Sequence, residues 1–218
     1  MKNNKTLPEI YRRLFEHYGP QHWWPGDSPF EVMVGAILTQ SAAWQNVEKA
    51  ISNLKNAGMM SPGALRNIPV VELAQLIHPC GYYNAKAFKI KVFVNWLGAF
   101  CGDDLDQLFA LDTNILRQQF LAIHGIGLET ADSILLYAGN KPIFVIDAYT
   151  RRIISRLGLM PEKDRYDDYQ ALFMNNLPQN AKLFNEYHAL MVRLGKEACR
   201  KQPICDRCCL FEICRFKV

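Results

Sequence analysis

The stretch Leu121-Ala122-Ile123-His124-Gly125-Ile126-Gly127-Leu128-Glu129-Thr130-Ala131 places two glycines two residues apart between segments of helical periodicity. Glycine tolerates positive φ and allows another backbone to come close, so the pattern predicts a tight turn that opens a helix. Such a turn presents several backbone N–H groups in one direction, and with the helix dipole they suit an anionic oxygen such as a phosphate. A simple corner between two helices is the alternative.

Helical signals dominate the rest of the chain. Ser28-Pro29 and Ser61-Pro62 are typical helix starts. The run 143–146 is the one convincing strand-like segment, and four residues are too few to predict a sheet. We therefore predict an all-α chain of roughly ten short helices. Helical periodicity recurs over 70–77, 84–98, 112–123, 128–138, 147–157, 164–175 and 181–197.

Composition excludes several classes of protein. The chain has 218 residues, 50% of them hydrophobic, and a net charge of +4, which is compatible with nucleic acid but weak evidence alone. No stretch approaches the ~18 apolar residues of a membrane span. The first ten residues, MKNNKTLPEI, lack the apolar region of a signal peptide. We expect a cytoplasmic protein without a membrane partner.

Four cysteines near the end of the chain read C-x5-C-x2-C-x5-C: Cys199, Cys205, Cys208 and Cys214. In a reducing compartment such a group is more typical of a metal site than of disulfides. Zinc sites usually have two C-x2-C pairs or histidines, so the single pair favours a [4Fe-4S] cluster on four thiolates. Zinc and free thiols are the alternatives, and Cys209 could compete with Cys208 as a ligand.

Basic residues are concentrated around these cysteines. Arg200 and Lys201 are predicted to contact DNA phosphates, with a solvated basic tail as the alternative. Lys217 belongs to the same basic group.

Three segments resemble one family. The stretch LAIHGIGLETADSILLYAGNKPIFVIDAYTRRIISRLGL, the cysteine-rich end and Gly81-Tyr-Tyr-Asn-Ala-Lys-Ala87 are similar to the helix-hairpin-helix (endonuclease III) superfamily of DNA glycosylases. The resemblance runs from about Trp23 to Cys214 and implies two helical lobes with a DNA cleft between them. It implies a six-helix barrel over 22–136, with the hairpin at about 115–138. The second lobe would combine 1–21 with 137–218, including the cluster loop 199–214.

Asp147 precedes a predicted helix, where it would serve as an N-cap. The resemblance implies that it is also catalytic: a fixed carboxylate stabilises the positive charge that develops on the sugar and can activate water. Bifunctional relatives carry a lysine two residues after the second hairpin glycine, and that amine forms a Schiff base. Here the position is Glu129, so we expect a monofunctional enzyme that uses water and leaves an abasic site.

Tryptophans are the candidates for a base pocket, because a base must leave the stack before its bond can be reached. The pattern of Trp23, Trp24 and Trp44 in the sequence resembles that of the 3-methyladenine DNA glycosylase III branch. In that branch aromatic residues at the matching positions hold an alkylated purine. Core packing is the alternative. Gln40 is predicted to enter the gap left by the base, or else to pack at a helix end. Lys86 is predicted to touch a phosphate, or else to be solvated.

The predicted DNA contacts at the hairpin are His124, Gly125, Gly127, Leu128 and Glu129. The predicted partner is double-stranded DNA with damaged bases, and the protein is expected to be a monomer. A glycosylase for oxidised pyrimidines or mismatches and a non-catalytic DNA-binding module remain alternatives. The histidines outside the hairpin, His17, His22, His78 and His188, show no partner pattern.

Overall fold

The computed structural model describes residues 6–216. The first five residues of the stretch MKNNKTLPEI and the basic residue Lys217 lie outside the described residues. Within that range twelve α-helices form, with short 3-10 turns, one π-helical turn and no strand. The all-α prediction is confirmed. The helices are α1 Thr6–Tyr18, α2 Pro29–Leu38, α3 Trp44–Asn56, α4 Pro62–Asn67, α5 Val70–Leu76, α6 Tyr83–Cys101, α7 Leu105–Ala110, α8 Thr113–Leu121, α9 Leu128–Ser133, α10 Ala148–Leu157, α11 Tyr166–Met174 and α12 Ala181–Glu197.

The chain divides into two compact units. Trp24–Gly139 forms one, and Met1–Trp23 with Asn140–Val218, as far as these are described, forms the other. The assignment of a six-helix barrel to 22–136 stays a prediction.

The Trp24–Gly139 unit is built around α2. Ser28 caps this helix, accepting a hydrogen bond from the Glu31 amide at 3.2 Å, and every residue from Phe30 to Leu38 is buried. A helix that is apolar on all sides needs neighbours on all sides, and α3, α6, α9 and the π-helical turn Ile134–Ala138 all pack against α2. Each fully buried Leu, Ile or Val side chain stabilises the fold by about 1.5–3 kcal/mol.

The other unit packs α12 against α1 and α10. The strand-like run Ile143–Ile146 is fully buried but forms no strand within the described residues. Phe144 stacks on Phe173 with ring centroids 3.8 Å apart, which anchors this segment under α11.

Two helical details differ from the sequence prediction. The segment Leu105–Ala110 forms a helix that periodicity did not predict, with Asp104 as its cap (Gln107 N to Asp104 Oδ1, 3.0 Å). The segment predicted as one helix over 128–138 changes to π-helical geometry at Ile134. Within the described residues, no helix combines the length and apolar character needed to cross a membrane.

Candidate functional site

Asp147 starts α10 and acts as its N-cap. Its backbone is extended, with φ −104° and ψ 179°, and Oδ1 accepts a hydrogen bond from the Thr150 amide at 2.7 Å. The side chain is 12% exposed. The result is a carboxylate with one oxygen fixed by the backbone and a limited opening to solvent.

The buried segment before Asp147 is held by side chains of α11 instead of by a neighbouring strand. Gln170 Nε2 donates to the Phe144 carbonyl at 2.7 Å, and the Ile146 amide donates to the Tyr166 hydroxyl at 3.2 Å. A buried backbone group left without such a bond costs about 1–3 kcal/mol. These contacts therefore fix the position from which Asp147 emerges.

His188 on α12 faces the other oxygen of the same carboxylate. Its Nε2 lies 3.8 Å from Asp147 Oδ2, and the ring is buried, edge-on to Phe144 at 6.2 Å. Burial lowers the pKa of His188 from its usual 6.5, although the charge of Asp147 acts in the opposite direction. The imidazole is therefore neutral at neutral pH. Sequence reasoning gave His188 no role, because its neighbour lies on a helix remote in the chain.

The two hairpin glycines are required for different reasons. Gly125 has φ +86°, a left-handed conformation that favours glycine, and a Cβ there would lie 2.5 Å from Lys89 Cγ. Gly127 begins α9 in extended conformation without a side-chain cap. Among the described residues nothing lies within 4 Å of the place that its Cβ would occupy. The start of α9 is therefore open to an approaching backbone.

The residues around the turn are largely accessible. His124 is exposed, and its ring meets Phe88 edge-on at 5.9 Å. Leu128 is half-buried and Glu129 is exposed. Glu129 lines a polar cavity of about 220 Å³ together with Gln40 and with several Ser and Thr residues: Thr39, Ser41, Thr130 and Ser133. Of the five predicted hairpin residues, His124, Gly127 and Glu129 are therefore exposed, while Gly125 and Leu128 are half-buried.

Gln40 supports the hairpin from behind. Its Nε2 donates to the Gly125 carbonyl and to Thr130 Oγ1, both at 3.0 Å, and its Oε1 accepts a hydrogen bond from Lys89 Nζ. A side chain with all its polar atoms engaged is not poised to enter a DNA duplex. In this structure Gln40 adopts the packing alternative, and its entry into the gap left by a base stays a prediction.

Lys86 does not reach the surface. The side chain is buried, 2% exposed, and Nζ donates to the Leu38 carbonyl at 2.9 Å and the Cys80 carbonyl at 2.8 Å. Both predicted roles, phosphate contact and solvation, are wrong. Lys89, which the sequence analysis gave no role, is one helical turn further along α6 and lies against Gly125.

An ion pair joins the two helices of the hairpin. Arg117 on α8 donates from Nε to Asp132 Oδ1 at 2.7 Å and from Nη2 to Oδ2 at 3.0 Å. The Asp132 side chain is 0% exposed and that of Arg117 14%. This two-point contact fixes both the distance and the rotation between α8 and α9.

Two of the three predicted pocket tryptophans come together. The rings of Trp24 and Trp44 meet edge to face at 5.2 Å, and Trp24 also contacts Tyr137 at 5.3 Å. Trp24 and Trp44 line a cavity of about 300 Å³. The cavity also contains the buried carboxylate of Glu31, paired with Lys55 at 2.8 Å. Trp23 falls in the other compact unit.

The four predicted metal ligands line one apolar cavity: Cys199, Cys205, Cys208 and Cys214. Cys209 is not among the residues that line it. The pKa of the Cys208 thiol is raised, mainly by burial and further by the other three thiols. The four thiols predicted from the spacing therefore lie around one cavity, and their role as metal ligands stays a prediction.

Arg156, in the last turn of α10, holds the loop that carries these cysteines. Its Nη1 donates to the Arg200 carbonyl at 2.6 Å and lies 3.3 Å from Cys199 Sγ, and Nη2 donates to the Lys201 carbonyl at 2.8 Å. Its own carbonyl accepts a hydrogen bond from the Phe216 amide at 3.1 Å. Arg200 and Lys201 themselves are exposed.

Four thiols that line one cavity provide the number of donors that a [4Fe-4S] group requires. No three His, Cys, Asp or Glu side chains between Thr6 and Phe216 are arranged to hold one metal ion. Thiols spread around a cavity suit a cluster, because a [4Fe-4S] group binds through four separated thiolates. The neighbouring guanidinium of Arg156 offsets part of their negative charge.

Comparison with known proteins gives consistent relatives. Residues 34–179 match the family described as HhH-GPD superfamily base excision DNA repair protein. A protein of Methanocaldococcus jannaschii, provisionally named a DNA repair glycosylase, is 44% identical over 220 residues and 100% of both chains. Endonuclease III of Sulfolobus acidocaldarius is 30% identical over 189 residues, which cover 86% of this chain and 82% of that protein.

A solved structure is similar over most of its length. It is the 3-methyladenine DNA glycosylase (MagIII) of H. pylori bound to 1,N6-ethenoadenine, with a TM-score of 0.72 and 28% sequence identity. The match covers 89% of this chain and 95% of that chain.

Proposed function

Because the chain belongs to the HhH-GPD superfamily of base excision DNA repair proteins, we propose that it is a monofunctional DNA glycosylase that releases an alkylated purine such as 3-methyladenine from double-stranded DNA. The superfamily predicted from the sequence is confirmed. The chain is a base excision repair DNA glycosylase of this superfamily, and the proposal concerns its substrate and its chemistry. The observation that carries it is the fixed carboxylate of Asp147.

Asp147 would act on the sugar and on water. When the glycosidic bond breaks, its electron pair leaves with the base and positive charge develops on the sugar. A carboxylate held in place by the Thr150 amide (2.7 Å) stabilises that charge without reorganising. The same carboxylate would accept a proton from the water whose oxygen bonds to the sugar.

The amines near the hairpin support water as the nucleophile. A Schiff base requires a free amine, and the matching position holds Glu129. Lys86 is buried against two carbonyls, and Lys89 donates to Gln40. The expected product is therefore an abasic site in an intact strand.

The aromatic cavity supports an alkylated purine as substrate. Such bases carry positive charge, which is attracted to the faces of Trp and Tyr rings, and Trp24 and Trp44 together line a cavity of about 300 Å³. The similar H. pylori enzyme is a 3-methyladenine DNA glycosylase bound to 1,N6-ethenoadenine. Trp23 is retained as a proposed third aromatic contact.

The cavity lined by the four cysteines supports a [4Fe-4S] cluster, with zinc as the alternative. Cys199, Cys205, Cys208 and Cys214 would hold it. When bound, the cluster would cross-link the loop that carries Arg200 and Lys201. These two exposed side chains would then contact phosphates together with the hairpin amides, independently of base sequence. We expect the protein to act as a monomer.

A second candidate activity is removal of oxidised or mismatched bases. The similarity to endonuclease III of Sulfolobus acidocaldarius over 86% of this chain favours it. The non-catalytic alternative would bind abasic DNA and release no base.

The test is base release from two duplexes, one methylated with dimethyl sulfate and one containing an oxidised pyrimidine, with free bases quantified by chromatography. We expect 3-methyladenine from the first and nothing from the second. Asp147→Asn should abolish release while DNA binding is retained. Base release from the oxidised duplex alone would overturn the assignment of an alkylated purine as the substrate. A robust adduct after borohydride reduction would overturn the monofunctional mechanism.

A further inference from the structure

We propose that His188 is a positioning residue for Asp147: as a neutral imidazole it holds the working oxygen of the carboxylate, and its protonation switches the enzyme off in mild acid. This inference rests on the proposed function, since it concerns the same carboxylate. It goes beyond that function by assigning a role to a buried side chain on a different helix.

The two oxygens of Asp147 are not equivalent. Oδ1 is occupied by the Thr150 amide at 2.7 Å, so Oδ2 is the oxygen available for water and the sugar. His188 Nε2 lies 3.8 Å from that same oxygen. This distance is slightly longer than a hydrogen bond, and catalytic hydrogen bonds often tighten only when substrate is bound. The histidine therefore limits how Oδ2 can rotate about the fixed Oδ1.

The imidazole is held rigidly in this position. Its ring is edge-on to Phe144 at 6.2 Å, and Phe144 is itself stacked on Phe173. The adjacent residue Tyr187 is fully buried and donates to the Leu7 carbonyl at 2.9 Å. With α12 packed against both α1 and α10, His188 has no space to swing away from the carboxylate.

Charged groups of α10 face α12 at two places. Arg152 donates to the Gly195 carbonyl at 3.1 Å, about two helical turns beyond His188, whereas Asp147 is the charge that acts on the His188 ring. From the start of α10 comes Asp147 itself, and from α1 comes the ring of Tyr11, packed on Tyr187 at 5.3 Å. The segment before α10 contributes the apolar ring of Phe144, and α11 contributes Phe173, which stacks on it. Burial lowers the pKa of His188 and Asp147 opposes that shift.

The protonation state decides whether Asp147 can work. In the reaction the water oxygen bonds to the sugar, its proton passes to Oδ2, and the base leaves with the electron pair. His188 exchanges no proton in this step. Its Nε2, 3.8 Å from Oδ2, would donate a hydrogen bond to that oxygen when the site tightens on substrate. A protonated His188 would pair with the carboxylate and weaken its stabilisation of the positive sugar.

Two substitutions separate positioning from packing. His188→Gln keeps a neutral N–H donor near the place of Nε2, whereas His188→Phe fills the space without a donor. His17→Asn, an exposed histidine on α1, is the matched control. Single-turnover release of 3-methyladenine from dimethyl-sulfate-treated duplex is measured between about pH 5 and pH 8, with spontaneous release subtracted.

We expect His188→Gln to keep its rate at neutral pH within about threefold and to shift the acid-side fall in activity to lower pH. We expect His188→Phe to lose about tenfold or more at neutral pH, in the range of a misplaced catalytic group. The control should match the wild type throughout. If both His188 variants reproduce the wild-type rate and pH profile, the positioning role is overturned.

A measurement that leaves His188 in place covers the case in which a His188 variant does not fold. NMR titration of the His188 ring should give a lower pKa in Asp147→Asn than in the wild type, because the carboxylate favours the protonated ring. An unchanged titration would overturn the inference. If the wild type releases no base from either duplex, the proposed function has failed. If it is active and Asp147→Asn is dead while the His188 variants and their titration behave as wild type, only the present inference has failed.

Discussion

Replacing Arg117 with methionine tests how the hairpin is held together. The substitution removes both guanidinium hydrogen bonds, at 2.7 and 3.0 Å, from Asp132. Because that carboxylate is 0% exposed, it stays desolvated after its charged neighbour is lost. Breaking a buried pair in this way costs about 3–5 kcal/mol. Each ~1.4 kcal/mol is a factor of ten, so the unfolded fraction should rise by about two to four orders of magnitude.

The assay is the free energy of unfolding from urea denaturation followed by circular dichroism. The matched control is Arg165→Met, which removes a 2.7 Å pair with Asp168 in which the Arg165 side chain is 66% exposed. The control should lose much less stability, since solvent already screens that pair. The double substitution Arg117→Met with Asp132→Leu should recover much of the loss, because apolar side chains then replace both members of this buried pair.

One result would refute this reasoning. If Arg117→Met costs no more than Arg165→Met, then the buried ion pair does not hold α8 to α9. The folded fraction of Arg117→Met should also bind abasic DNA more weakly, because the turn at Gly125 and Gly127 depends on the angle between these helices.

Three further predictions follow from contacts described above. Cys205→Ser should abolish the iron–sulfur absorbance at about 400 nm. Cys209→Ser should retain this absorbance, because Cys209 does not line the cavity. Loss of the absorbance in both variants would contradict the proposed ligand set. The free energy of unfolding should fall as the pH drops below about 6.5, because burial lowers the pKa of His188 and the unfolded chain therefore takes up the proton first. His188→Gln should reduce this dependence of the unfolding free energy on pH, measured by urea titration at about pH 7.5 and about pH 5.5. Lys86→Met should reduce the free energy of unfolding by about 1.5–3 kcal/mol for each lost charged hydrogen bond and leave DNA affinity unchanged. Lys89→Met should weaken DNA binding, because Lys89 lies against the hairpin turn at Gly125. A binding defect in Lys86→Met would instead support the predicted phosphate contact of Lys86.

Short-range signals made most of the helical architecture predictable. Ser28-Pro29 and Ser61-Pro62 cap helices that begin where the sequence indicates, because a cap depends only on the next three residues. The helix Leu105–Ala110 was missed because six residues are too few for a periodic pattern. The strand-like run 143–146 reflects burial on all sides, which favours the same β-branched residues as a strand does.

The candidate site was predictable only where its residues are neighbours in sequence. The glycine turn and the cap at Asp147 are local, and both take the expected conformations. His188 meets Asp147 only through the packing of α12 on α10. Likewise Lys86 and Lys89 are one turn apart on the same helix, and only the packing of the unit decides which of them is buried. The roles of the hairpin residues in DNA binding and of Asp147 in catalysis stay predictions.

Helix α10 joins the two proposed sites, the carboxylate of Asp147 and the cysteine loop. Its first turn is capped by Asp147, and its last turn contains Arg156, which grips the cysteine loop. Ten residues at 1.5 Å each make a rod of about 15 Å. With a cluster on the four thiols, starving a cell of iron would loosen one end of this rod and disturb the carboxylate at the other. The capacity to repair damaged bases would then depend on the supply of iron as well as on the amount of the enzyme.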